Sequence, residues 1–405
     1  MAASEHPRFL LLLPPPPSPP DAAGLKAAFG DTIGQVLKEV ATHSSDSSSA
    51  AALEIALACP HLVDQQRTPR STLYAETQSR LAAVYKLICT VAAKDGVNIE
   101  DCDGVDLPGE PSATNESPYG PVISMQTLAR SGRRWQYAFG VESESGEDMV
   151  KAFVAAKGSG EQVTRVQSGP VMHTGASAAD GDSGSDGGNA SPTESDTATL
   201  HPHVAVGGTF DHIHIGHKLL LTMTIFAVDE GNPTAKENRS ATIGITGDQL
   251  LKNKRHAEVL ESWDDRYKSV MTFVDAIVDF SSPSSSSQRQ VSARDDPGPN
   301  GKTVDVYYPN DFLVKCTEIQ DAFGPTITEE QISALIISAE TRSGGKAVND
   351  KRTEKDWKPL DVFEVDVLDA EDEDSEDQKV KEGFDGKLSS TAIREKLAKK
   401  RQSSL

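Results

Sequence analysis

At 405 residues, the chain has room for two or three domains of the usual ~100–200 residues each. It carries 61 Asp and Glu against 40 Lys and Arg, a formal net charge of −21, which repels phosphate backbones and excludes a general nucleic-acid binder. Hydrophobic residues make up 37%, below the ~45–50% of globular domains, and aromatics 5%, so part of the chain is expected to stay unpacked.

In chain order, the first apolar run, Phe9 to Leu13, is cut by Pro14 to Pro17 and is too short for a signal peptide or a membrane span. Cys59, Cys89, Cys102 and Cys316 show no CxxC pair and no zinc-ligand spacing, and read as reduced thiols. A soluble cytoplasmic protein is expected, with the sequons at Asn115, Asn189 and Asn238 unused. Residues 8–155 read as a small α/β domain. Arg8 to Leu13 and Leu53 to Ala58 suit buried strands, Ala22 to Val40 and Thr77 to Ala93 suit helices, and Tyr119 to Val141 suits a hairpin turned at Ser131-Gly132. No chemical motif marks this part.

Residues 156–202 read as a flexible acidic linker. Its stretch Gly175 to Thr199 has five acidic residues, no basic one, and no Val, Ile, Leu, Met or aromatic residue. Residues 203–402 then alternate cleanly between strands and helices. Strands fit at His203–Gly207, Ala241–Thr246, Val304–Tyr308, Ala334–Ser338 and Leu360–Leu368. Ser262-Trp-Asp-Asp265 has the capping-box pattern ahead of an amphipathic run. This alternation implies a doubly wound parallel sheet, Rossmann-like, with ligands at the carboxyl ends of its strands. A Ser/Pro/Gly-rich insertion at 281–302 and an acidic loop at 366–382 are expected to be unstructured.

The most informative stretch runs Val204-Ala-Val-Gly207-Gly208-Thr209-Phe210-Asp211-His212-Ile213-His214-Ile215-Gly216-His217. A buried strand enters a glycine pair, which lets the backbone turn sharply and lets a ligand approach it. A helix follows over Lys218 to Val228, and its free N–H groups and positive dipole end seat a phosphate. His214 and His217, three residues apart, share a face.

This stretch resembles the HxGH signature of the nucleotidyltransferase superfamily, preceded by the Gly-Gly-Thr-Phe-Asp of its adenylyltransferase members. Gly247-Asp248-Gln-Leu-Leu-Lys252-Asn-Lys254 follows the second strand, where that superfamily places a phosphate-binding lysine. Ser338-Ala-Glu340-Thr341-Arg342-Ser-Gly344-Gly345-Lys346 is similar to a segment of the eukaryotic phosphopantetheine adenylyltransferase family, found also in bifunctional CoA synthases. Lys387-Leu-Ser389-Ser390-Thr391-Ala-Ile-Arg394 resembles the closing ISSTxIR motif. The resemblance covers 203–402 in motif order, and more weakly the Leu- and Pro-rich start of fungal-type members. Bacterial members often carry Thr at the place of His214 and Arg near Lys346, which leaves Lys346 as the candidate second basic ligand.

The resemblance implies transfer of AMP from ATP to 4′-phosphopantetheine, giving dephospho-CoA and pyrophosphate, with Mg²⁺ accompanying ATP and no metal ligands from the protein. Thr209 and Lys252 or Lys254 would hold the attacking phosphate, with Phe210, Arg342 and Lys346 on the substrate side. His217 would meet the α-phosphate and His214 the nucleotide phosphates. Gly207, Gly208, Ser389, Ser390, Thr391 and Arg394 would complete the ATP site. Other enzymes of coenzyme A synthesis are the further partners implied. The competing readings are a cytidylyltransferase of phospholipid-precursor synthesis and a non-catalytic interaction protein on the same fold. Asp296-Pro-Gly298-Pro-Asn-Gly301-Lys302-Thr303 imitates a Walker A loop, but Asp stands where its first glycine belongs and a strand follows. With no kinase domain after Leu405, a single catalytic step is expected.

Overall fold

The structure is a computed structural model. It describes residues 7–17, 22–45, 51–96, 105–108, 117–158, 162–169, 199–230, 238–282, 288–366 and 389–403. Most of the expected acidic linker, all but the first residue of the acidic loop, and Lys387 lie outside the described residues, but Val163–Gln167, expected to be linker, is a strand paired into the N-terminal sheet.

The N-terminal half contains β1 (Arg8–Leu13), α1 (Ala22–Ser45), β2 (Ala52–Leu57), α2 (Arg70–Asp95), β3 (Val105–Pro108), β4 (Val122–Ile123), α3 (Met125–Arg130), β5 (Tyr137–Glu142), α4 (Glu144–Lys157) and β6 (Val163–Gln167). Its strands form one sheet in the order β4-β3-β2-β1-β5-β6, parallel throughout. Phe9 to Leu13 are all fully buried, as a central parallel strand covered on both faces must be. The expected hairpin at 119–141 does not form. α3 intervenes, capped by Ser124, and carries the chain from β4 at one sheet edge to β5 beside β1. The Gly132 turn signal ends a helix instead.

The C-terminal half contains β7 (His203–Gly208), α5 (Ile215–Phe226), β8 (Arg239–Thr246), α6 (Trp263–Val278), β9 (Gln290–Asp295), β10 (Lys302–Tyr308), β11 (Phe312–Ile319), β12 (Ala334–Ser338), α7 (Arg342–Thr353), β13 (Asp361–Val365) and α8 (Ser390–Ser403). The sheet order is β13-β12-β7-β8-β11-β10-β9. The five strands from β13 to β11 are parallel, and β10 and β9 add an antiparallel edge. The order reverses between β7 and β12, so the loop after β7 opens at the topological switch point. The doubly wound parallel fold expected from the sequence is present, with two differences. β11, unforeseen, pairs with β8 along its whole length. Part of the insertion at 281–302, expected to be unstructured, is strand β9. Its six residues are all exposed, and the backbone ladder to β10, with Arg294 paired to Asp305, holds it; neither leaves a hydrophobic signal in the sequence.

The halves are packed together. α5 is buried on nearly every face, its one side against the sheet and its other against α2, which is why its sequence is apolar all round. The Asp229 carboxylate accepts backbone N–H groups from both Arg70 (2.6 Å) and His201 (2.6 Å). Main-chain bonds link Gly120 N to Val278 O and Phe280 N to Pro118 O. Arg133 pairs with the buried Glu54, lies 3.7 Å over the Phe280 ring, and donates to the Ala276 carbonyl. One hydrophobic core runs through both halves. Among the described residues no helix is long and apolar enough to cross a membrane.

Candidate active site

The site is built on the turn from β7 into α5. Phe210 (φ 51°) and His212 (φ 46°) both sit in the left-handed region that non-glycine residues avoid, a conformation costing of order 1 kcal/mol or more each unless the surroundings enforce it. Here they do. Phe210 is fully buried with its ring 5.4 Å from that of His217. His212 donates its N–H to Glu261 Oε2 at 2.7 Å, and its Nε2 lies 2.8 Å from the Val259 carbonyl. A Cβ on Gly216 would stand 3.2 Å from the His214 ring, so a larger residue there would press on that ring.

His214 caps α5: its Nδ1 accepts the Gly216 N–H at 3.2 Å. The neutral ring must therefore carry its proton on Nε2, which makes that nitrogen a donor. The His214 and His217 rings stack with centroids 4.0 Å apart. Burial, reinforced by Lys218, pushes the His214 pKa down to about 4. Burial, with His214 beside it, holds His217 well below its ordinary value. His217 Nδ1 is buried with no hydrogen-bond partner among the described residues. The pair is neutral at physiological pH.

α8 docks on this turn through a buried ion pair. Arg394 Nη1 meets Asp211 Oδ2 at 2.6 Å, both side chains almost wholly enclosed. The same guanidinium donates to the Arg255 carbonyl (3.0 Å) and to Thr391 Oγ1 (3.1 Å). The other Asp211 oxygen accepts the Glu261 N–H at 2.9 Å. Ser389 caps α8 through Ala392 N at 3.3 Å. The ion pair thus joins two segments 183 residues apart in sequence, and it brings Ser389, Ser390 and Thr391 to the loop of His214 and His217. Arg394 acts first as the clasp between them.

The remaining nominated residues are placed less tightly. Thr209 and the backbone of Gly207 and Gly208 line the end of β7, with Gly207 open to solvent. Lys252 and Lys254 follow the β8 strand end, exposed and without an ion pair among the described residues. Arg342, at the start of α7, is not free: it is exposed and pairs with Glu364 of β13. Lys346 lies one turn further along α7, also exposed.

One organising residue gives no signal in the sequence. Arg266 of α6 is fully buried, and it donates to the Thr209 carbonyl (2.7 Å), the Glu261 carbonyl (3.2 Å) and Asp248 Oδ1 (2.6 Å). It ties the ends of β7 and β8 together. In sequence it reads only as a charge on an amphipathic helix; the buried helix face to which it belongs was the available clue.

Residues 205–396 match the family described as cytidylyltransferase-like, and residues 1–172 match a domain of unknown function, DUF8446. The C-terminal half is a nucleotidyltransferase-type domain. Within that class it is similar to the phosphopantetheine adenylyltransferase of Saccharomyces cerevisiae, 33% identical over 193 residues, 48% of this chain and 48% of that protein. It is also similar to that of Thermococcus kodakarensis, 28% identical over 165 residues, 41% of this chain and 74% of that protein. An uncharacterized protein of Schizosaccharomyces pombe is 34% identical over 196 residues, again 48% of each chain. The matched part therefore spans about half the length of the two fungal relatives.

Proposed function

We propose that the C-terminal half transfers AMP from ATP to 4′-phosphopantetheine, releasing pyrophosphate and giving dephospho-CoA. The observation that carries this reading is the clasp of Arg394 on Asp211, which docks α8 on the turn that leads into the stacked His214 and His217. The names of the yeast and archaeal relatives support phosphopantetheine as acceptor.

The chemistry follows from charge. A phosphate monoester has its second pKa near ~6 and is mostly dianionic at neutral pH, so it attacks the α-phosphorus without a general base. A bond forms from its oxygen to that phosphorus, the bond to the β-phosphate oxygen breaks, and pyrophosphate leaves with the electron pair. The chain's task is to hold two anions in line and to stabilise charge as it shifts. Thr209, with Lys252 or Lys254, receives the attacking phosphate. Neutral His214 donates from Nε2 to nucleotide phosphate oxygens, and His217 contacts the α-phosphate. Neutrality keeps both rings from trapping the anion in its ground state while leaving N–H donors for the transition state. Ser389, Ser390, Thr391 and the N-terminal dipole of α8 take the β,γ end. Mg²⁺ would accompany ATP, coordinated mainly by the substrate's own phosphate oxygens.

Pyrophosphate release by the purified full chain, measured with ATP and with CTP against 4′-phosphopantetheine and against phosphocholine, tests the reading. Turnover only with ATP and 4′-phosphopantetheine supports it; turnover with CTP and phosphocholine replaces it with the cytidylyltransferase.

A further inference from the structure

A half-open recess lies between the two halves at the end of α5 remote from His214. Its walls include Arg70 and Tyr119 from the N-terminal half and Phe226, Glu230, Arg239 and Phe312 from the C-terminal half. None of these belongs to the site described above.

Two cations meet there. The Arg70 guanidinium stands 5.1 Å over the Phe226 ring, and that of Arg239 stands 5.5 Å over Phe312. Stacking on a ring satisfies the face of a guanidinium and leaves the in-plane N–H donors available. Arg70 spends one of them on Glu230 at 3.3 Å, a long contact to a half-exposed carboxylate. The Arg239 side chain makes no hydrogen bond or ion pair among the described residues. Burial works against its charge, Glu230 and Asp311 favour it, and Arg70 adds repulsion. With Glu230 counted, the charged groups of the wall carry one net positive charge, in a recess whose other surfaces mix the rings of Tyr119, Phe226 and Phe312 with aliphatic residues.

A guanidinium pair with N–H donors to spare suits an oxyanion that accepts from both, and phosphate does so bidentately. The aromatic and aliphatic surfaces suit an apolar body attached to it. We propose that this cavity binds the phosphate group of a small phosphorylated metabolite and bridges the two halves. Because the walls come from both halves, an occupant binds only the docked arrangement and stabilises it by mass action.

Arginine modification by phenylglyoxal, followed by peptide mass spectrometry of the full chain, reads the site directly. Inorganic phosphate should slow modification of Arg239 several-fold, and phenyl phosphate at equal concentration should slow it further. Phosphate should also raise the melting temperature of the wild-type chain, and Arg239→Gln should remove at least half of that rise. The mass spectrum needs no variant, so a poorly folding Arg239→Gln does not decide the matter. Equal modification of Arg239 with and without either compound overturns the proposal. Protection by inorganic phosphate but not by phenyl phosphate overturns the monoester as ligand. A failure of nucleotidyl transfer leaves these readouts untouched.

Discussion

Replacing Arg394 by Met keeps most of the side chain's apolar length and removes three hydrogen bonds, to Asp211, the Arg255 carbonyl and Thr391. The Asp211 carboxylate is left wholly buried with only the Glu261 N–H on its other oxygen. Removing one member of a buried ion pair costs ~3–5 kcal/mol, because the remaining charge is uncompensated. The loss should fall on α8 rather than on the whole fold. The helix buries little else, chiefly Ile393 and Ala398, and its further tie is Arg401 to the Glu258 carbonyl at 3.2 Å. Amides 392–398 should therefore lose protection against hydrogen exchange by roughly 10²–10³-fold, while the melting temperature of the core moves much less. KM for ATP should rise in step. Adding Asp211→Asn should recover part of the loss, since no unpaired charge then remains. Wild-type protection of α8 in Arg394→Met would refute the clasp.

The other expectations concern His217, pH and the interface. His217→Ala should lower kcat by ~10²–10³ with a smaller change in KM for ATP, the range for one preorganised transition-state donor; steady-state kinetics on a variant with an intact melting curve checks this. His214 has its pKa lowered to about 4, so its contribution is full above the unfolded value of ~6.5 and declines as pH falls through the window down to about 4, by roughly 3 kcal/mol. Urea unfolding at pH 7.5 and pH 5 should show a smaller pH effect in His214→Asn than in the wild type; an identical effect contradicts the assignment. Deleting residues 1–198 should give an aggregating protein, because it strips α2 from the apolar flank of α5; a monodisperse fragment on size exclusion would show that the halves fold independently.

The sequence held the C-terminal half in readable form because parallel strands covered on both faces are continuous apolar runs, and Val204–Val206, Ile243–Ile245 and Leu335–Ile337 are such runs. Ser262 and Asp265 form the cap that their spacing foretold, with Asp265 N to Ser262 Oγ at 3.2 Å. The histidines stack as a three-residue spacing on one turn requires. What stayed hidden depends on pairing rather than pattern. β9 is exposed on every residue, so no hydrophobic period marks it. The turn at Ser131-Gly132 looks the same whether it joins two strands or ends α3. Arg394 reads as a phosphate ligand until Asp211, 183 residues away, is seen to hold it. The same limit applies to Arg266 and Arg342, whose partners lie on other elements. The docking of the two halves was illegible for a related reason: an all-round apolar α5 says that something covers it, and only the fold says that α2 does.

The central claim is tested most directly by incubating the full-length chain with MgATP and 4′-phosphopantetheine and following dephospho-CoA and pyrophosphate by mass spectrometry and a coupled assay. The account predicts the two products in equal amounts, with His217→Ala reducing both together by ~10²–10³. A folded, ATP-binding chain that forms neither product, or a His217→Ala variant with wild-type turnover, would contradict it.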